Sequence, residues 1–93
     1  MMLMNESEFV AHALTDYLSS FVDRSLVSAI HQSLVAGESE SAIGFALGIA
    51  ASEGIPIPSL MREKILSIPN LSTVDHEWFN ESLQLIPVVE LAA

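Results

Sequence analysis

The apolar residues of this chain recur in steps of three and four, in five runs, four of which glycine or proline cuts short. That period is the signature of one buried face of a helix. No segment of useful length alternates with the period of a strand. Short helices cannot bury their apolar stripes alone, so the pattern predicts an all-α protein, a compact orthogonal bundle of about five short helices with short connections.

The first run is Phe9, Val10, Ala13, Leu14, Tyr17, Leu18 and Phe21. Asn5 is its N-cap, Glu8 completes a capping-box pattern, and the helix runs to about Ser20. Asp23 or Ser25 caps a second helix with the stripe Leu26, Val27, Ile30, Leu34 and Val35. Gly37 is placed just past its end, where a left-handed residue is favoured. Glu38-Ser39-Glu40-Ser41 reads as an acidic loop, with Ser39 or Ser41 capping the third helix. That helix carries Ile43, Ala46, Leu47 and Ala50 on one face, with Phe45 and Ile49 beside it, and ends at Gly54. Gly44 and Gly48 inside it each cost about 1 kcal/mol against alanine. Their spacing puts them on one face, where they admit close approach by a neighbouring helix of the fold or by a partner.

Ile55-Pro56-Ile57-Pro58 must be extended, because each proline pushes its predecessor out of helical angles. Its isoleucines can anchor it on the core. Ser59 caps a short fourth helix with Leu60, Met61, Ile65 and Leu66 inward and Arg62, Glu63 and Lys64 toward solvent; Pro69-Asn70 closes it. Ser72 or Thr73 starts a fifth, with Asp75 in the first turn and Val74, Trp78, Phe79, Ser82, Leu83 and Leu85 or Ile86 as its apolar face. Pro87 stops it, and the apolar tail from Val88 to Ala93 either docks on the core or extends like a strand. There is no internal repeat, and 93 residues with 51 % hydrophobic content make one folded domain, residues 1–93.

Charge sets the choice of partner. Twelve carboxylates face three basic residues, Arg24, Arg62 and Lys64, for a formal charge of −9. Such a surface repels phosphate backbones and anionic membranes, which argues against direct nucleic-acid or membrane binding. It attracts a basic protein and speeds the encounter. Acidity alone also serves solubility. The absence of cysteine removes disulfide and thiolate-metal chemistry. Met1-Met2-Leu3-Met4 lacks the basic start and long apolar run of a signal peptide, so a cytoplasmic location is expected.

No catalytic constellation emerges. His12, His31 and His76 lack the spacing of a helical metal pair. His12 with Glu8 or Asp16 is the arrangement of a surface pair, and His31 borders the second stripe as a half-buried polar residue. Asp75-His76-Glu77 are consecutive and diverge around a helix. There is no Gly-x-Ser-x-Gly elbow, no dinucleotide loop and no Walker lysine. The expectation is a protein that is not an enzyme, uses no cofactor or metal, and binds another protein. Trp78 and the carboxylates Asp75, Glu77 and Glu81 offer one candidate contact surface, with most of the Trp78 ring expected in the core. Glu38, Glu40 and Glu53 offer another.

Residues Gly37-Glu38-Ser39-Glu40-Ser41-Ala42-Ile43-Gly44-Phe45-Ala46-Leu47, Gly54-Ile55-Pro56-Ile57-Pro58 and Met61-Arg62-Glu63-Lys64-Ile65 carry a resemblance. This Gly-Glu-x-x-x-Ala-hydrophobic segment, followed by an Ile-Pro turn opening a helix, is similar to small helical bacterial immunity proteins, the MafI-like group and relatives in contact-dependent growth inhibition systems. It spans residues 25–68. The resemblance implies a protein that binds a cognate toxin domain, frequently a nuclease with a basic cleft, and neutralises it by stoichiometric occlusion inside the producing cell. It supplies no map of contact residues. The competing expectations are an adaptor or regulatory protein for a basic partner, and a small metal-dependent enzyme around Asp75-His76-Glu77.

Overall fold

The structure, a computed structural model, describes residues 5–89. Five helices follow one another: α1 Glu6–Leu18, α2 Arg24–Val35, α3 Ser39–Glu53, α4 Ser59–Leu66 and α5 Thr73–Gln84. Two short strands, β1 Ile57–Pro58 and β2 Val88–Val89, pair in parallel, Ile57 opposite Val88 and Pro58 opposite Val89. The all-α class and the five helices agree with the sequence pattern. None of the described helices is long and apolar enough to cross a membrane.

Local chemistry fixes most of the boundaries. The Asn5 side chain accepts from the Glu8 N–H at 2.8 Å, and Ser72 Oγ accepts from the Asp75 N–H at 3.0 Å. Each satisfies a donor that the first helical turn leaves without a partner. Gly37 and Gly54 take the left-handed conformation, with φ of 79° and 67°, and end α2 and α3. Asn70 takes it too, with φ of 63°, in the turn between α4 and α5. Two boundaries differ from expectation. Helix α3 begins at Ser39, so Ser39 and Glu40 lie in its first turn and Glu38 holds the N-cap position. Pro58, with its fixed φ, holds the N-cap position of α4, and Ser59 is already helical.

Helix α3 is the centre of the bundle and packs against α1, α2 and α5. Ala42, Ile43, Ala46, Leu47 and Ala50 are fully buried there, facing Leu14 and Leu18 of α1, Ile30 of α2, and Phe79 and Leu83 of α5 in one continuous core. Small residues on α3 let three helices approach it at once. Ile55 and Ile57 anchor the extended segment on the same core, as expected. That segment is tied on both sides. The Tyr17 hydroxyl donates to the Pro56 carbonyl at 2.6 Å, and the Ile57 N–H donates to the Pro87 carbonyl at 3.0 Å. With prolines on either side, Ile57 is the one N–H the stretch from Pro56 to Pro58 can offer.

Arg62 corrects the expectation of a solvent-facing side chain. It is half-buried, and its Nη1 donates to the carbonyls of Leu83 at 2.9 Å and Ile86 at 3.5 Å. Helix α5 has no basic residue in its last turn. Arg62 brings a cation from α4 to the negative end of that helix, where unpaired carbonyls collect. Among the described residues no buried side-chain nitrogen or oxygen lacks a partner.

The strand-like reading of the tail holds for Val88 and Val89; residues 90–93, like the Met1–Met4 segment, lie outside the described residues.

Candidate protein-binding surfaces

The six carboxylates singled out by charge do not form two coherent patches. Glu38 precedes the first turn of α3, and Glu53 is the last of its 15 residues. At a rise of about 1.5 Å per residue, they stand about 22 Å apart along the axis. Glu40 is half-buried and accepts from Ser7 Oγ at 3.1 Å, which ties the start of α3 to the start of α1. One of this group therefore serves the fold, and the other two mark opposite ends of the central helix.

The α5 group does come together, with an adjustment. Val74, Glu77, Trp78, Glu81 and Leu85 are all exposed; Val74, Trp78, Glu81 and Leu85 follow at three- and four-residue steps, with Glu77 three residues from Val74 and four from Glu81. Helical spacing therefore lines them up along the outer face of α5. Val74 was expected inward and is 74 % exposed; of Leu85 and Ile86, left as alternatives, Ile86 is buried with Phe79 and Leu83 while Leu85 is 74 % exposed. Asp75 is half-buried at the inner edge of the stripe. The outer face of α5 thus interleaves apolar side chains with carboxylates.

Trp78 is 42 % exposed, less a core residue than expected. One face of its indole lies on Gly44 of α3, so closely that a Cβ at Gly44 would fall within the ring. Its other side meets solvent beside Glu77 and Glu81. The Phe79 ring, 5.5 Å away and tilted by 40°, is fully buried. The two glycines of α3 therefore have different reasons: Gly44 seats the tryptophan, whereas nothing lies within 4 Å of a Cβ placed at Gly48.

A second surface escaped the sequence pattern. An apolar groove of about 270 Å³ runs between α1 and α4, lined by Phe9, Val10, Ala13, Tyr17, Pro58, Leu60, Met61 and Lys64. Phe9 and Leu60, both expected to be core, are 61 % and 59 % exposed and form its walls. The signal available in the sequence is the width of the α1 stripe. Phe9, Val10, Ala13, Leu14, Tyr17 and Leu18 cover more of the circumference than the core of a small bundle can bury. Val10, Leu14 and Leu18 took the core, and Phe9 was left out.

The side-chain charges lie at or near the surface. All carboxylates except Glu90 fall among the described residues, and none of those is buried. His31 and His76 are exposed, the former against expectation, and His12 is half-buried. Among the described residues no three His, Asp or Glu side chains are placed to hold a metal ion, Asp75-His76-Glu77 included.

Comparison with protein-family models, with curated proteins and with solved structures gives no significant match.

Proposed function

We propose that this chain is a binding protein for a basic protein domain, and specifically an immunity protein that neutralises a cognate toxin domain, a nuclease with a basic cleft, by stoichiometric occlusion in the producing cell. The observation that carries the binding reading is the outer face of α5. Trp78, Val74 and Leu85 stand exposed beside Glu77 and Glu81 on a chain of formal charge −9. Aromatic and aliphatic anchors supply the desolvated centre on which affinity depends, and the carboxylates steer a cationic partner and reject anionic ones. The toxin part rests on the resemblance of the Gly37–Leu47 and Gly54–Ile65 segments to small helical immunity proteins. An acidic protein suits that task, because a cleft built for phosphates is already complementary to it.

The test is co-expression with the toxic domain encoded beside its gene, scored by cell survival and by co-purification. Survival together with a one-to-one complex that weakens in high salt is the expected result. A complex formed without protection would replace inhibition by an adaptor role. Absence of both survival and a complex would remove the proposal.

A further inference from the structure

The groove between α1 and α4 lies apart from the outer face of α5 and calls for its own occupant. Its walls are apolar along their length, and the two most prominent, Phe9 and Leu60, are both more than half exposed. At about 270 Å³ it falls short of the roughly 300–1,000 Å³ of an enclosed small-molecule site. A slot of that size, open along two helices, suits one or two anchoring side chains from a helix laid across it.

Charge decides which helix. Glu6, Asp16 and Glu63 are exposed and lie three residues from the lining residues Phe9, Ala13 and Leu60, which puts each on the neighbouring turn. Lys64 is the cation in the lining. Arg62, the other cation of α4, is engaged with the carbonyls of Leu83 and Ile86. The surroundings of the slot are therefore net negative. A second copy of the chain would bring its own charge of −9 to the same place and be repelled. A cationic helix with leucine-like anchors meets both requirements, apolar contact at the centre and opposite charge at the rim.

We infer that the α1–α4 groove is a docking site for a basic amphipathic helix of the protein partner, with Phe9 and Leu60 gripping its apolar side chains and Glu6, Asp16 and Glu63 facing its lysines or arginines. This deepens the binding reading above and rests on it. It adds a second contact, formed by residues of α1 and α4 that are not part of the α5 stripe.

The experiment uses the full chain and a synthetic helix of leucine and lysine, roughly 14 residues long so that it can hold helical form on binding. A leucine–glutamate peptide of the same pattern is the control. Binding is followed by amide chemical-shift changes. The expected result is saturable binding of the lysine peptide alone, with the largest shifts at Phe9, Ala13, Leu60 and Lys64. The double variant Phe9→Ser/Leu60→Ser changes only exposed side chains and should keep the circular dichroism of the parent while binding at least ~tenfold more weakly. Val74→Ser/Leu85→Ser, on the other face, should bind the peptide as the parent does. If the Val74/Leu85 variant loses binding and the Phe9/Leu60 variant does not, the groove assignment falls while the binding reading stands. Equal binding of both peptides, no binding of the lysine peptide, or self-association of the chain through Phe9 and Leu60 would each overturn the assignment. The survival assay judges the immunity reading separately.

Discussion

The indole of Trp78 occupies the space that a Cβ at Gly44 would need, so a close contact between α3 and α5 pairs the largest side chain of the protein with a residue that has none. A methyl group at Gly44 has nowhere to go unless the indole shifts off α3 and gives up that contact. Gly44→Ala should therefore lose about 1–3 kcal/mol despite alanine's better helix propensity, through overpacking. Urea unfolding followed by Trp78 fluorescence measures it, and the native emission itself should shift as the ring is displaced.

Gly48→Ala is the matched opposite. Space is open above Gly48, so the substitution should gain up to about 1 kcal/mol from helix propensity alone. A loss as large as that at Gly44 would show that both glycines serve packing.

Arg62 should behave as a structural residue, although its composition class and position on a short surface helix suggest otherwise. Arg62→Met removes the donor shared by Leu83 and Ile86 and should cost about 1–3 kcal/mol, with Arg62→Lys recovering part of it. Because those carbonyls lead into β2, hydrogen exchange at the Ile57 amide should quicken in the methionine variant before global unfolding does.

Tyr17→Phe deletes one hydroxyl and the bond to the Pro56 carbonyl while keeping the ring in place. The expected loss is about 1 kcal/mol, read from the shift in the thermal or urea midpoint. No measurable loss would mean that solvent replaces the phenol at Pro56 without penalty.

Charge reversal on the outer face of α5 should separate binding from folding. Glu77→Lys and Glu81→Lys change exposed side chains and should alter stability by no more than about 0.5 kcal/mol. Association with a basic partner should slow at low ionic strength, and the difference from the parent should fade as salt rises, since these contacts act chiefly on the encounter. Stopped-flow mixing across a salt series reads both effects.

Some features of this protein are local and were legible in the chain itself. Asn5 and Ser72 cap their helices through donors three residues away, and Gly37 and Gly54 end theirs through their own backbone freedom. The extended course of Ile55–Pro58 follows from proline geometry. The three- and four-residue apolar steps give the helices and the all-α class, and the carboxylate excess gives the sign of the chain's own charge. None of this requires knowing what lies across the core.

Tertiary structure decided the rest, because a period of 3.6 says which residues share a face and leaves open how much of that face a neighbour covers. Val10 and Phe9 are adjacent and equally apolar, yet only Val10 meets α3's side of the core; Leu60 and Ile65 divide in the same way on α4. Arg62 looks like a solvated charge until the end of α5, 21 residues on, is brought to it. Glu38 and Glu53 share a helix and a charge, but its length holds them apart. Gly44 and Gly48 share a spacing, and only the placement of Trp78 distinguishes them. Sequence determined the elements and the sign of the surface; the packing of those elements, a matter of contacts distant along the chain, chose which apolar residues remained outside the core.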